Sequence, residues 1–225
     1  MLKSIDFKNT AILIDFDGTI TTEDTNDKLV RVFWNDEVGE FHEDNDEKNM
    51  TYVDFMDTLF SKLKISEEEY LNFILNDIEI SPGFIEFYKR AKQLNIPISI
   101  ISGGFINGIV PFLDKHGIKD IEIFANKLNF DGKDITLDFY HNRDKDCCTL
   151  GFCGNCKRKH VKAFKEKHQE IIFIGDGITD EPVASKADVV FAKDGLLEYC
   201  NNNNINCISW KDFFDIERIL FKAVI

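Results

Sequence analysis

The stretch AILIDFDGTI, residues 11–20, passes from an apolar run to two acidic residues. Residues 11–15 (AILID) predict a short buried strand that delivers its last residue to a loop, because the apolar run ends abruptly at polar residues and Gly18. Only one residue separates Asp15 from Asp17. Continued strand geometry would place both side chains on one face, and a turn at Gly18 would place both around one loop. In either case the sequence predicts that two carboxylates converge on one site.

The same pattern of an apolar run followed by small or acidic residues recurs along the chain. The further runs are residues 96–101 before Ser102-Gly103-Gly104, 121–124 before Ala125-Asn126, 171–174 before Gly175-Asp176-Gly177, and 189–191 before Ala192-Lys193-Asp194. Helical stretches lie between them, and one is predicted to begin at Ser81-Pro82, where serine can cap and proline fits the first helical position. This alternation predicts an α/β protein with a parallel sheet covered by helices on both faces. Ligands are expected beyond the carboxyl ends of the strands.

Residues 22–79 interrupt the alternation, because helical apolar spacing continues there without a convincing strand. The apolar positions are Leu29, Val30, Phe33 and Trp34, followed by Tyr52, Phe55, Met56, Leu59, Phe60 and Leu63. Ser66 and Glu69 form a capping box that opens a further helix. We therefore predict an all-helical cap at residues 22–79, inserted into a core made of residues 1–21 and 80–225.

A second interruption lies at residues 126–138. Asp131-Gly132 is a turn dipeptide between two short runs of β-forming residues. This pattern predicts a small β-hairpin beside the main sheet.

The composition limits the classes of function. A net charge of −13 over 225 residues argues against nucleic-acid binding, which needs cations along a groove. We find neither an apolar window long enough to span a membrane nor the zones of a signal peptide, so we expect no membrane partner and a cytoplasmic location. A small phosphorylated metabolite remains compatible with this charge if a metal ion or a few cationic side chains create a local positive site. The sequence leaves the oligomeric state open.

The acidic residues at the strand ends predict a metal and phosphate site. Asp15 and Asp17 would repel each other or share a proton unless a cation lay between them, and Mg²⁺ suits a site of oxygen ligands with room for a phosphate. Asp176 and Asp180 follow another strand and would complete the acidic group. Phosphate contacts would come from the Ser102 hydroxyl and from backbone N–H groups at Gly103 and Gly104. Lys157 would supply a fixed positive charge.

Four motifs in this order resemble the haloacid dehalogenase superfamily of phosphatases. They are Asp-x-Asp-Gly-Thr at residues 15–19, Ser-Gly-Gly at 102–104, a lysine at 157, and Gly-Asp-Gly-x-x-Asp at 175–180. The resemblance covers residues 12–191 and implies a Rossmann-like core. It also implies hydrolysis of a phosphomonoester through an aspartyl-phosphate intermediate.

The resemblance also implies roles for individual residues. Asp15 is the expected nucleophile and Asp17 the general acid and then base. Asp15, the backbone carbonyl of Asp17, and Asp176 are the expected Mg²⁺ contacts, and Asp180 would support the metal through water or through Lys157. Ser102, Gly103 and Lys157 are the expected phosphate contacts. Arg158 and Lys159 are alternatives to Lys157, because all three belong to a basic segment.

A finer resemblance links the segments at residues 17–24 and 151–157 to phosphatases with a helical cap after the first motif. These include methionine-salvage phosphatases acting on 2-hydroxy-3-keto-5-methylthiopentenyl-1-phosphate, phosphoserine phosphatases, and phosphoethanolamine/phosphocholine and pyridoxal-phosphate phosphatases. The alternative from another class is a protein that binds a phosphorylated metabolite without turnover. That alternative predicts a missing nucleophile or acid, and neither is missing.

A cluster of cysteines, Cys147, Cys148, Cys153 and Cys156, has three interpretations. Reduced packing thiols are the first, since nothing predicts export to an oxidising compartment. Reversible oxidation of Cys153 and Cys156 is the second. A zinc site is the third, although adjacent cysteines are poor tetrahedral partners.

Overall fold

The computed structural model describes residues 6–34, 51–141 and 153–221. Within these residues a seven-stranded sheet has the order β4-β3-β2-β1-β5-β6-β7. The strands are β1 (Thr10–Ile14), β2 (Ile98–Phe105), β3 (Glu122–Asp131), β4 (Asp134–Asp138), β5 (Glu170–Gly175), β6 (Val189–Ala192) and β7 (Ile208–Ser209). Neighbouring strands pair in parallel, except for β3 and β4, which pair antiparallel. The predicted α/β architecture is confirmed.

Helices connect the strands and cover the sheet. Those of the described ranges are α1 (Thr25–Phe33), α2 (Tyr52–Lys62), α3 (Glu67–Asn76), α4 (Phe84–Gln93), α5 (Ile106–Lys115), α6 (Lys157–Lys165), α7 (Glu181–Ala184), α8 (Asp194–Asn202) and α9 (Phe213–Phe221). The Ser66 and Glu69 capping box at the start of α3 is confirmed by reciprocal hydrogen bonds of 3.2 and 2.8 Å. None of the helices in these ranges has the length and apolar character needed to cross a bilayer.

The side chains of β1 divide between two hydrophobic clusters, one on each face of the sheet. Ile12 and Ile14 belong to the larger cluster, while Ala11 and Leu13 belong to the smaller one. All four are fully buried, as expected for a central parallel strand with helices on both faces. The strand order reverses at β1, which lies between β2 and β5. In open α/β sheets such a reversal creates the crevice where ligands bind.

The predicted helix start at Ser81 is wrong. Gly83, with φ of +82°, occupies the N-cap position of α4, so the helix begins later than the Ser-Pro pattern indicates. The Ser81 hydroxyl instead donates hydrogen bonds to the carbonyl oxygens of Thr19 (2.6 Å) and Thr21 (3.1 Å). It therefore holds the loop after β1 rather than capping a helix.

The predicted end of the third strand at Ala125-Asn126 is also wrong, because β3 runs without interruption to Asp131. Asn126 is buried, and its amide donates to the Gly103 carbonyl (2.7 Å) and accepts from the Tyr140 N–H (3.0 Å). These bonds satisfy a polar side chain inside a strand. After Asn126, β3 pairs with β4 in the predicted hairpin, and Asp131 with Asp134 is the last residue pair before the turn.

Helices α1 to α3 lie in the chain between Thr21 and Ile80, two core residues that are adjacent in space. Thr21 and Ile80 form an isolated antiparallel bridge, and the Thr22 N–H donates to the Glu79 carbonyl at 3.0 Å. Buried residues of these helices, such as Phe60 and Phe73, belong to the same hydrophobic cluster as Ile12 of β1. The division into a cap at residues 22–79 and a core stays a prediction.

Candidate active site

The loop after β1 turns sharply and buries both of its carboxylates. The Asp15 N–H donates to the Ile174 carbonyl of β5 (2.9 Å), and one Asp15 oxygen, Oδ1, accepts from the Phe16 N–H (2.7 Å). Gly18 has φ of +73°, and a Cβ there would lie 2.3 Å from Oδ2 of Asp176. This position therefore needs glycine both for its backbone conformation and for the close approach.

Lys157, the first residue of α6, lies between two acids. Its Nζ is 2.8 Å from Oδ2 of Asp15 and 2.5 Å from Oδ1 of Asp180, and all three side chains are buried. Burial alone would lower the pKa of Lys157, but the carboxylates of Asp15 and Asp180 outweigh it and raise the pKa above its usual range. The site therefore contains a permanent cation. Arg158, one of the alternatives to Lys157, is exposed.

Asp17 has different partners from Asp15. Its Oδ2 accepts a hydrogen bond from the Ser102 hydroxyl (2.9 Å), and its Oδ1 accepts one from the Thr25 hydroxyl. Burial raises the pKa of Asp17, and the bonds from Thr25 and Ser102 oppose that shift. Ser102 is fully buried, and its oxygen also accepts from the Gly104 N–H at 2.8 Å. Gly103 and Gly104, rather than Ser102, line the cavity beside Asp17.

The loop after β5 brings in two more acids. Oδ1 of Asp176 accepts a 2.5 Å hydrogen bond from the Thr19 hydroxyl. Oδ2 of Asp180 accepts from the N–H groups of Asp176 (2.9 Å) and Gly177 (3.2 Å), so Asp180 holds this loop while its other oxygen contacts Lys157. Burial, and then the charge of Asp180, raise the pKa of Asp176 to about 7.

The acidic group has the donor atoms and spacing of a cation site. Asp15, Asp176 and Asp180 each offer one carboxylate oxygen, and these oxygens lie within 4.8 Å of one another. Lys157 supplies one positive charge against the three carboxylates of this group, and it opposes, without cancelling, the rise in the pKa of Asp176 caused by burial and Asp180. A hard divalent cation would balance the rest. The carboxylate of Asp17 is not a member of this closely spaced group, and its two oxygens accept hydrogen bonds from the hydroxyls of Thr25 and Ser102.

Two adjoining cavities open from this group. The first, of about 190 Å³, has Asp15, Asp17 and Asp176 in its walls. The second, of about 340 Å³, shares Tyr52 and the start of α1 with the first. Its remaining walls are mainly apolar and come from Val30, Arg31, Phe55, Met56 and Leu59. A phosphate-sized acidic cavity is thus joined to a larger and less polar one between helices α1 and α2.

A sequence profile of the family described as "Putative Phosphatase" matches residues 10–224. The chain belongs to this family. The match includes every residue of the site described above, and the predicted resemblance to haloacid dehalogenase phosphatases is confirmed.

Similar proteins agree with this assignment. The 2-hydroxy-3-keto-5-methylthiopentenyl-1-phosphate phosphatase of Bacillus velezensis is 32% identical over 208 residues, which cover 92% of this chain and 87% of that protein. A substrate-bound phosphoserine phosphatase structure has a TM-score of 0.68 at 21% identity, covering 93% of this chain and 97% of its own. A structure of a phospho-aspartyl intermediate analogue of phosphoserine phosphatase has the same TM-score and identity, covering 93% and 98%. These two structures show the shared fold.

One residue of this phosphatase site, Thr25, escaped the sequence interpretation, and two others, Thr19 and Asn155, were included in motifs without a role of their own. The Thr25 hydroxyl donates a hydrogen bond to Asp17, and the Thr19 hydroxyl donates one to Asp176. The Asn155 amide donates to the carbonyls of Ser102 and Phe124, both at 2.8 Å. The sequence feature that could have pointed to Asn155 is its position two residues before Lys157. Thr19 is the last residue of the Asp-x-Asp-Gly-Thr motif, whereas Thr25 carries no comparable signal, because its partner is set by a tertiary contact.

The cysteine cluster is only partly described. Cys147 and Cys148 lie outside the described residues, whereas Cys153 and Cys156 are buried. In the described part of the chain, the acidic group is the one that has the spacing of metal ligands. The zinc interpretation therefore gains no support from these residues.

Proposed function

We propose that this phosphatase hydrolyses 2-hydroxy-3-keto-5-methylthiopentenyl-1-phosphate with Mg²⁺, in the cytoplasm, through phosphorylation of Asp15. The carrying observation is that Asp15 and Asp17 line one small acidic cavity while Lys157 contacts Asp15 at 2.8 Å, because this provides a nucleophile, a proton carrier and a fixed cation. The substrate is the one named for the Bacillus velezensis relative.

The two carboxylates take different parts in this mechanism. Oδ2 of Asp15 attacks phosphorus. Burial and the charge of Asp180 raise the pKa of Asp15, and Lys157 at 2.8 Å opposes that shift and favours the ionised form. Asp17, whose pKa burial raises, holds a proton for the departing alcohol and then removes one from the attacking water. Lys157 and the N–H groups of the Gly103 segment stabilise the phosphoryl charge.

Asp15 and Asp176, with the backbone carbonyl of Asp17, are the proposed Mg²⁺ contacts, and Asp180 supports them through its bonds to Lys157 and the β5 loop. When bound, the cation supplies charge neutralisation and alignment of the phosphate. Without it, the excess negative charge of the acidic group would repel the substrate.

The mainly apolar second cavity favours the methylthio substrate over phosphoserine. Val30, Phe55, Met56 and Leu59 offer apolar surface for a methylthio group. Arg31 in the same wall already pairs with Glu23 at 2.6 Å, and Asp24 and Asp27 would repel the carboxylate of serine. We propose that the helices of residues 22–79 act as the cap that makes this selection.

The test measures phosphate release from the methylthio compound, phosphoserine, phosphoethanolamine, phosphocholine and pyridoxal phosphate. We expect the highest kcat/KM for the methylthio compound, no turnover in excess EDTA, and inhibition by Ca²⁺, which takes more ligands and loosens the octahedral geometry. Full activity in EDTA would refute the role of the metal. A higher kcat/KM for phosphoserine would refute the substrate.

A further inference from the structure

The turn that precedes Lys157 holds two cysteines side by side. The sequence Cys153-Gly154-Asn155-Cys156 closes through a hydrogen bond from the Asn155 N–H to the Cys153 carbonyl at 2.7 Å. Gly154 has φ of +71°, and a Cβ there would lie 2.4 Å from the Phe139 ring. The tight turn brings the Cys153 thiol into hydrogen-bond contact with the sulfur of Cys156. Both cysteines are reduced in the structure.

Cys156 occupies the N-cap position of α6. Backbone N–H groups at a helix start favour a thiolate over a thiol, as they do any anion. The hydrogen bond from Cys153 comes first among the causes, and the N–H groups of Lys159 and Arg158 add to it. Together they outweigh burial and lower the pKa of Cys156 to about 5. These surroundings favour the thiolate, which is the nucleophilic form of this sulfur.

A basic surface cavity lies beside Cys156, which is buried. The cavity measures about 550 Å³, and Cys156 forms part of its wall. Its cationic wall residues are Arg158, Lys159, Lys162, Lys165 and Lys186. This cavity is separate from the acidic active-site cavities, because its wall shares no residue with theirs. Its charge suits a small anion rather than an apolar ligand.

We propose that Cys153 and Cys156 are a reversible redox pair, oxidised by an anionic low-molecular-weight disulfide of the glutathione type that enters through the basic cavity. The Cys156 thiolate attacks one sulfur of that disulfide, breaks its S–S bond and releases one thiolate. Cys153 then loses its proton and attacks the Cys156 sulfur, which releases the second thiolate. The protein loses two protons and two electrons, and the disulfide is reduced to two thiol molecules.

Oxidation changes the active site through the residues that the turn contains. A disulfide needs its sulfurs about 2.0 Å apart, which is closer than a hydrogen bond allows, so the turn must tighten. Asn155 within the turn bonds the Ser102 carbonyl at 2.8 Å, and Lys157 directly after it lies 2.8 Å from Asp15. Displacement of catalytic groups by about 1 Å can cost on the order of 10²-fold in rate. We therefore expect the oxidised protein to lose activity.

The test treats the full chain with oxidised glutathione, alkylates the remaining thiols, and maps disulfides by peptide mass spectrometry. We expect a Cys153–Cys156 disulfide and a loss of aryl-phosphate hydrolysis of about tenfold or more, restored by dithiothreitol. The Cys153→Ser variant should keep its basal activity and retain glutathione on Cys156, because no second thiol is present to release it. The Cys156→Ser variant should not acquire glutathione at Cys153.

Two controls separate this pair from general thiol oxidation. Cys200 and Cys207 also lie in hydrogen-bond contact, but burial raises the pKa of Cys200 to about 12, so both should remain reduced and become alkylated. Lys162→Glu should slow oxidation by glutathione disulfide a few-fold and leave oxidation by the neutral hydroxyethyl disulfide unchanged. Equal slowing with both reagents would overturn the role of the basic cavity.

Three outcomes would overturn the redox proposal itself. One is a Cys156 disulfide to Cys147 or Cys148 instead of Cys153. Another is oxidation of Cys200 by glutathione disulfide to the same extent as Cys156. The third is a fully oxidised Cys153–Cys156 pair with unchanged turnover. Disulfide mapping does not depend on activity, so these results remain distinct from any failure of the proposed substrate.

Discussion

At the scale of single residues, Asp15 and Asp17 are distinguished by their partners. Asp15 contacts the cation of Lys157, whereas Asp17 accepts hydrogen bonds from two neutral hydroxyls. Burial raises the pKa of both carboxyls and the charge of Lys157 opposes the shift in both, but it is Asp15 that contacts the Lys157 Nζ, at 2.8 Å. The surroundings thus suit Asp15 to nucleophilic attack and Asp17 to proton transfer.

Substitution of each acid should therefore have an unequal effect. Asp15→Asn removes the nucleophile, so no phosphoryl-enzyme should form. Asp17→Asn should lower turnover by about 10²- to 10⁴-fold but still accumulate phosphorylated Asp15 with an aryl phosphate, whose leaving group needs little protonation. Intact mass measurement after rapid quenching, followed by peptide mapping, checks both. Phosphate on Asp17 of the unmodified protein would reverse the assignment.

The sequence predicts single residues of the site only where they stand in a pattern. Asp15 and Asp17 follow an apolar run at a fixed spacing, so their convergence could be predicted. The bond between Asn155 and the Ser102 carbonyl joins positions 53 residues apart, and no local pattern encodes it. Its existence depends on how α6 packs against the sheet.

At the scale of elements, α6 is fastened to two strands through Asn155. The amide group donates to the carbonyls of Ser102 and Phe124, and its oxygen lies 2.6 Å from Nε2 of His160. Because both amide hydrogens are used, the oxygen must accept, and His160 must carry its proton on Nε2. This clamp fixes the start of α6 and hence the position of Lys157.

Removing the Asn155 hydrogen bonds should lower kcat more than removing the hydrogen bonds of another asparagine outside the site. Asn155→Ala leaves two carbonyls without this donor and should lower the free energy of unfolding by about 1–3 kcal/mol and kcat by about tenfold or more. Asn107→Ala is the matched control, since Asn107 clamps α5 to Leu128 of β3 through bonds of 3.1 and 2.8 Å. It should lose stability with little change in kcat. Denaturant unfolding and steady-state kinetics on both variants make the comparison.

Strand lengths show where prediction at this scale failed. Apolar runs located the central strands, but the sequence interpretation ended the second strand at Ile101 and the third before Ala125, whereas β2 and β3 continue to Phe105 and Asp131. Polar residues inside these extensions are satisfied by partners from elsewhere in the fold, as for Asn126. A sequence pattern does not contain those partners, so it places strand ends too early.

At the scale of the whole molecule, the acidic group should couple cation binding to folding. A ligand that binds only the folded chain stabilises it by about 2.7 kcal/mol at a hundredfold excess over Kd. For a chain of 225 residues that corresponds to a rise in Tm of roughly 5–10 °C. Calorimetry with and without Mg²⁺ measures the shift.

Asp176→Asn should abolish most of this shift and raise the Tm of the metal-free protein, because it removes one half-buried negative charge from the group. Asp131→Asn is the control, since it removes an exposed charge at the hairpin and should keep the full response to Mg²⁺. An unchanged shift in Asp176→Asn would locate the cation elsewhere.

The helices of residues 22–79 share one hydrophobic cluster with the sheet, and this has a consequence for how the protein can evolve. Exchange of these helices as a block would uncover core residues that they contact, such as Phe105 against Phe60 and Phe130 against Tyr70, and destabilise the core. New substrate preferences in this lineage should therefore arise through single substitutions at cavity walls, such as Phe55 or Met56, and not through recombination of whole segments.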